Sequence, residues 1–215
     1  MPRKETCIYC GCRPGGTDDH VPPKCFFAEP CPNDVQRITV PCCDPCRIAD
    51  EKSDAFVRNI LAGLPETEAM PYVRQHITPR VSRSIGRAKW ETRRLMEIMK
   101  EKPVTMLTAS VLKTTYAPVL DFNNPEIDRF FERVARAALH ATLQKPFFAA
   151  IFDWTPKVET RHPLFRFMLR YGATRHTDEV FFYCLTPRIR DYIYFVYVEF
   201  YRAINFLIRV REIRA

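Results

Sequence analysis

Eight of the nine cysteines in this 215-residue chain fall within the first 46 positions, as do 8 of its 18 prolines. A segment so rich in both cannot build a conventional apolar core, so what it folds into depends on how the thiols are used. Two of the spacings decide this. Cys7-Ile8-Tyr9-Cys10-Gly11 is a knuckle, with two thiolates three positions apart and a glycine that permits the tight turn after them. Cys43-Asp44-Pro45-Cys46 repeats the spacing at a helix start. The four sulfurs of Cys7, Cys10, Cys43 and Cys46 complete a tetrahedral zinc site, with Cys42 an alternative to Cys43. Four protein sulfurs leave no position open for water, which makes the zinc structural. Cys12, Cys25, Cys31 and Cys184 have no matching spacing. An odd number of cysteines cannot all pair within one chain, and the start, MPRKETCIYC, lacks the apolar core of a signal peptide. The expectation is a reducing, cytoplasmic setting. No apolar run approaches a membrane span, so no membrane partner is expected.

Charge divides the chain in the same way as cysteine. Residues 1–60 hold 8 Lys+Arg against 9 Asp+Glu, and residues 61–215 hold 25 against 16, so the formal net charge of +8 arises entirely outside the cysteine-rich part. Polyanions are the natural partners of such a balance. The densest stretch is 74–102, where nine Lys+Arg face three Glu. It reads as a polar helical region ending before Pro103, with Trp90 placed to stack on nucleic acid or to pack inward.

The order of elements follows from turn chemistry and periodicity. TDDHV at 17–21 is a short extended stretch stopped by Pro22 and Pro23, and QRITV at 36–40 is a second. A helix starts at Asp44 and Pro45 and runs to about Leu61, with Ile48, Phe56, Val57, Ile60 and Leu61 on its apolar side. Residues 62–72 read as a turn. Beyond the basic region, VTMLTASVLKTTYAPVLDF is rich in β-branched residues, and a helix opens at Pro125 and runs to about 143, with Ile127, Phe130, Phe131, Val134, Ala137 and Ala138 at helical spacing. FFAAIF, EVFFYCL, RDYIYFVYVEFY and AINFLIRVREI read as strands of a mostly antiparallel sheet packed on that helix. The expected fold is α+β: a small zinc module over 1–62, a basic helical connector over 63–102 and a mixed helix and antiparallel-sheet body over 103–215.

Between the two cysteine pairs lies Asp18-Asp19-His20-Val21-Pro22-Pro23-Lys24. A histidine takes a proton from water near neutral pH, and an adjacent carboxylate binds a divalent cation, the two roles phosphodiester hydrolysis needs. Cys-x2-Cys-Gly, DHVPPK, ITVP ahead of the second Cys-x2-Cys, and a helix carrying SDAFVRN together resemble the zinc-stabilised HNH endonucleases, over about residues 5–60. More distantly, the C-terminal body is similar to the accessory region of uncharacterised bacterial HNH proteins. The resemblance implies a ββα-metal module holding one catalytic Mg²⁺ or other divalent ion against DNA, with RNA not excluded. It makes His20 the base that activates water and Asp19 a ligand of the ion. For the family's central asparagine the candidates are Asn33, Asp34 and Gln36.

One position departs from the pattern. The residue after the last zinc cysteine, usually Asn or His, is Arg47, and a guanidinium cannot ligate a metal. Either Asp50 or Glu51, with Asp54 a turn further on, supplies the missing oxygen, or the site is degenerate and Arg47 holds a phosphate. Lys24, Arg47, Arg80, Arg83, Arg87, Lys89, Arg93 and Arg94 are the residues expected to face nucleic acid. Besides DNA hydrolysis, two other functions stay open: a zinc module that binds nucleic acid without cutting it, and a scaffold whose C-terminal sheet recruits a protein.

Overall fold

The computed structural model describes residues 5–32, 35–87, 89–108, 111–156, 163–177, 179–186 and 193–213. Asn33, Asp34, His162 and Tyr192 lie outside the described residues, and so does the side chain of Arg87.

At the N-terminus, β1 (Thr17–Val21) and β2 (Ile38–Cys42) pair antiparallel, with Thr17 opposite Cys42 and Val21 opposite Ile38. The two prolines after β1 divert the chain into a 3-10 turn, Lys24–Phe26. α1 (Asp44–Ala62) follows β2 directly, with Pro45 in its first turn. Its last carbonyls are satisfied by the backbone of Gly63, whose N–H lies 3.1 Å from Asn59 O. Phe56, Val57, Ile60 and Leu61 are buried as their spacing predicts, whereas Ile48 is 58% exposed. It lies on the side of the first turns that faces away from the core.

Residues 62–72 hold a short helix, α2 (Pro65–Glu68). A π-helical turn, Val73–Ile77, leads into α3 (Thr78–Arg87) and α4 (Lys89–Ile98). The basic helical region thus ends four residues earlier than Pro103 suggested, because Met99 already pairs with Leu120. β3 (Met99–Thr108) and β4 (Val111–Leu120) form a two-stranded antiparallel hairpin of their own.

α5 (Pro125–Leu143) is capped by Asn124, whose side-chain oxygen accepts from the Glu126 N–H at 2.8 Å, and Pro125 fills the first turn. The remaining elements are β5 (Ala150–Pro156), α6 (Pro163–Tyr171), β6 (Ala173–Thr177), β7 (Phe181–Leu185), β8 (Ile193–Phe200) and β9 (Ile204–Glu212). The strands make one antiparallel sheet in the order β5-β9-β8-β7-β6. α5 covers one face, and Met168 and Phe165 of α6 pack with Tyr197 and Cys184 on the other. Cover on both faces explains why Tyr197 is buried together with Tyr194, Val196, Val198 and Phe200, the one position at which β8 departs from period-two alternation. α6 and β6 were not foreseen.

The zinc-module segment is not free-standing. One apolar cluster runs from Ile8, Val21, Phe26 and Val40 to Phe130, Phe200 and Val210. Phe26 is its centre, with ring centroids 5.5 Å from Phe130 and 5.4 Å from Phe200, and the Tyr201 hydroxyl reaches its carbonyl at 3.3 Å. The N-terminal half of α5 is thereby pressed against α1 and β2, and this contact forms the site described next. Among the described residues, no helix is long and apolar enough to cross a membrane.

Candidate metal centre and the adjoining carboxylate cluster

The first knuckle closes on its own backbone. Gly11 N–H donates to Cys7 O at 3.0 Å, and Cys7 N–H donates to Arg13 O at 2.9 Å. Gly11 sits at φ +68°, which a side chain adopts only with strain, and a Cβ there would lie 2.8 Å from the Phe148 ring. Ile8 N–H donates to Pro41 O at 3.2 Å and sews the knuckle to the end of β2, while Cys43 and Cys46 stand at the first turn of α1. The ligand atoms of Cys7, Cys10, Cys43 and Cys46 therefore all lie within 4.8 Å of one another.

A tetrahedral zinc site with Zn–S of about 2.3 Å has edges of about 3.8 Å. The Cys10–Cys43 sulfur separation is 3.8 Å. The four thiols fit a structural zinc ion in number, chemistry and spacing. Cys42 is not among them; its buried thiol is turned to the Cys43 carbonyl at 3.3 Å.

On β1, neighbouring side chains point to opposite faces, and this separates Asp19 from His20. Asp19 faces the module interior. One of its oxygens accepts from the Tyr9 hydroxyl at 2.6 Å and the other from the His20 backbone N–H at 2.9 Å. His20 faces the other way, its Nδ1 3.2 Å from Oγ1 of the exposed Thr39. Burial, with help from the cations Arg37 and Lys24, lowers its pKa against the pull of Asp19 and Asp18, so the neutral imidazole prevails at pH 7.

Asp50 and Asp54, one turn apart on α1, share the interior face with Asp19, and both are buried. The sequence made them candidates for the oxygen ligand that Arg47 cannot supply. What they surround is Arg133 of α5, whose side chain is only 4% exposed. Its guanidinium binds Asp54, lies 3.5 Å from Asp50 and 3.8 Å from Asp19, and rests on the Phe130 ring at 5.7 Å. Arg129, one turn earlier and half exposed, reaches Asp50 at 3.0 Å.

Three carboxylates thus face two guanidinium groups. Burial pushes Asp54 up to about 7 in spite of Arg133, and raises Asp50 against the pull of Arg133 and Arg129. Burial alone would lower Arg133, but Asp54 and Asp19 outweigh it and hold the guanidinium above its ordinary value. It stays charged.

This donor set does not fit a catalytic divalent ion. The oxygens of Asp19 are committed to Tyr9 and to the backbone, both oxygens of Asp50 and Oδ1 of Asp54 to arginine, and a second cation among them would meet the fixed charge of Arg133. Glu51 is on the exposed side of α1, where Arg47 bridges it at 2.5 Å and Asp44 at 3.4 Å. Gln36 is exposed on the loop before β2. A cavity of about 520 Å³ opens beside the cluster, between the knuckle and α5, with Tyr9, Cys10, Cys46, Asp50, Arg129 and Arg133 in its walls.

The basic residues fall into two groups. Arg80 donates to Phe27 O at 2.8 Å and pairs with Glu29 at 3.3 Å, and Arg94 binds Glu126 while its guanidinium lies 4.2 Å from the Phe56 ring centroid and 5.2 Å from that of Trp90. Those two hold the connector to the module. Lys24, Arg83, Lys89 and Arg93 are exposed, as is Trp90 at 48%.

Sequence reasoning missed Tyr9, Arg129 and Arg133. The signal was present: Arg133 interrupts the apolar stripe of Phe130, Val134 and Ala137 on α5, and a polar residue at such a position needs a buried partner. A scan against family models and searches of curated proteins and of solved structures gave no match.

Proposed function

We propose that the chain is a nucleic-acid-binding protein built on an HNH-like zinc module, with DNA as its ligand, in which the carboxylates of a former ion site serve a buried arginine. The observation that carries the choice of binding over hydrolysis is Arg133, whose guanidinium occupies the space among Asp19, Asp50 and Asp54. Affinity for DNA rests on exposed cations: Lys24 in the module, then Arg83, Lys89 and Arg93 along α3 and α4. Each phosphate they neutralise releases counterions, so binding weakens steeply with salt.

One observation favours a second reading, phosphodiester hydrolysis with His20 as base. The imidazole is partly open to solvent, neutral at pH 7 and oriented by Thr39, all of which a general base requires.

Zinc-loaded protein is titrated onto a fluorescent DNA duplex at several salt concentrations, and the same samples are incubated with plasmid in Mg²⁺, Mn²⁺ or no divalent ion, beside His20→Ala. The proposal expects salt-dependent binding, weakened in Arg83→Glu/Arg93→Glu, with plasmid left intact. Cutting by wild type that disappears in His20→Ala establishes the second reading instead. Neither binding nor cutting overturns both and favours the protein scaffold.

A further inference from the structure

The hairpin β3-β4 is a two-stranded ribbon, each strand ten residues long, in a sheet of its own. At about 3.3 Å per residue it reaches roughly 33 Å. Its base is fixed where Asp121 N–H donates to Ile98 O at 2.7 Å, at the end of α4, from which β3 continues directly. Among the described residues neither outer edge pairs with another strand. A lone two-stranded ribbon is marginal in water, so an arm of this length calls for something to dock on.

Two features select the occupant. Pro103 on β3 and Pro118 on β4 remove backbone donors from the ribbon, which disfavours extension of either edge by a further strand, including one from a second copy. The segment 99–120 carries Lys100, Lys102 and Lys113 against Glu101 alone, and it continues directly from the basic helices with exposed Arg83, Lys89 and Arg93. Net positive charge along an arm contiguous with a positive surface complements a polyanion. The major groove of duplex DNA, about 12 Å wide, admits a two-stranded ribbon.

We infer that β3-β4 is a DNA-docking arm that enters the major groove while α3 and α4 follow the adjoining phosphates. This rests on the binding function proposed above.

The test compares the full chain with two variants by anisotropy on one duplex across a salt series. In the first, residues 103–116 are replaced by Asn-Gly, joining Lys102 to Ala117, which face each other in the register. In the second, Lys102→Glu/Lys113→Glu, the arm keeps its length. Zinc content and thermal melts verify that both variants fold. The expected result is affinity at least tenfold weaker in both, with the log–log salt slope of the charge variant reduced by about two units for two lost phosphate contacts. If the full chain binds DNA and the shortened chain binds it equally well, the arm assignment is overturned and the binding function stands. Loss of a dimer on shortening, with DNA affinity unchanged, overturns it in favour of self-association. A full chain that does not bind DNA overturns both.

Discussion

Three carboxylates share the buried guanidinium of Arg133, and burial, with smaller contributions from Asp19 and Asp50, raises Asp54 in spite of that cation. The carboxyl of Asp54 faces Arg133 on α5, Asp19 on β1, Asp50 one turn earlier on α1, and the Cys25 thiol, which burial pushes up to about 12. Its own pKa rises from 3.8 to about 7 on folding. A group that binds its proton more tightly when folded stabilises the fold fully below its unfolded pKa and loses that contribution as pH rises through the folded one. Wild type is therefore expected to lose stability between about pH 4 and pH 7 on account of Asp54. In Asp54→Asn that loss is reduced, though not abolished, because Asp50 is shifted the same way. His20, shifted down, contributes equally to both proteins. Urea midpoints at pH 5 and pH 8 measure the difference, and identical pH slopes in the two proteins would rule this account out.

At the scale of elements, the two cysteine pairs, the hairpin between them and α1 were legible because each has a local cause: a glycine after the knuckle, prolines after β1, Pro45 in the first turn of α1. The zinc set makes a sharp prediction. Cys43→Ala is expected to lose zinc and the order of β1, β2 and α1, while Cys42→Ala keeps one zinc per chain by elemental analysis; the reverse pattern would exchange their roles. The pairing of Asp19 with α5 was not legible, since it depends on how α5 packs across α1, and no local spacing encodes that. The end of α4 was misjudged for a related reason. Pro103 looked like a helix stop, whereas a strand partner at Leu120 had already drawn Met99 into the hairpin. α6 is a short element whose apolar residues Phe165 and Met168 are explained only by the sheet face they cover, and β6 is a five-residue strand at the edge of that sheet with no apolar run to announce it.

The whole molecule combines a cysteine-rich module, an antiparallel sheet with helices on both faces and basic helices that continue into the two-stranded ribbon. The shared apolar cluster holds α5 rigidly against α1, so Arg133 reaches the carboxylates as part of the core and not as a surface side chain. Charge is arranged accordingly. Asp19, Asp50 and Asp54 are paired inside the protein with Arg133, whereas Arg83, Lys89 and Arg93 are exposed on the connector. The central claim is that a guanidinium, and not a divalent ion, fills the space among Asp19, Asp50 and Asp54. Zinc-loaded wild type, titrated with Mn²⁺ and followed by electron paramagnetic resonance, tests this most directly. The account predicts that wild type takes up no stoichiometric Mn²⁺. One tightly held Mn²⁺ per chain, lost in Asp19→Asn, would contradict it.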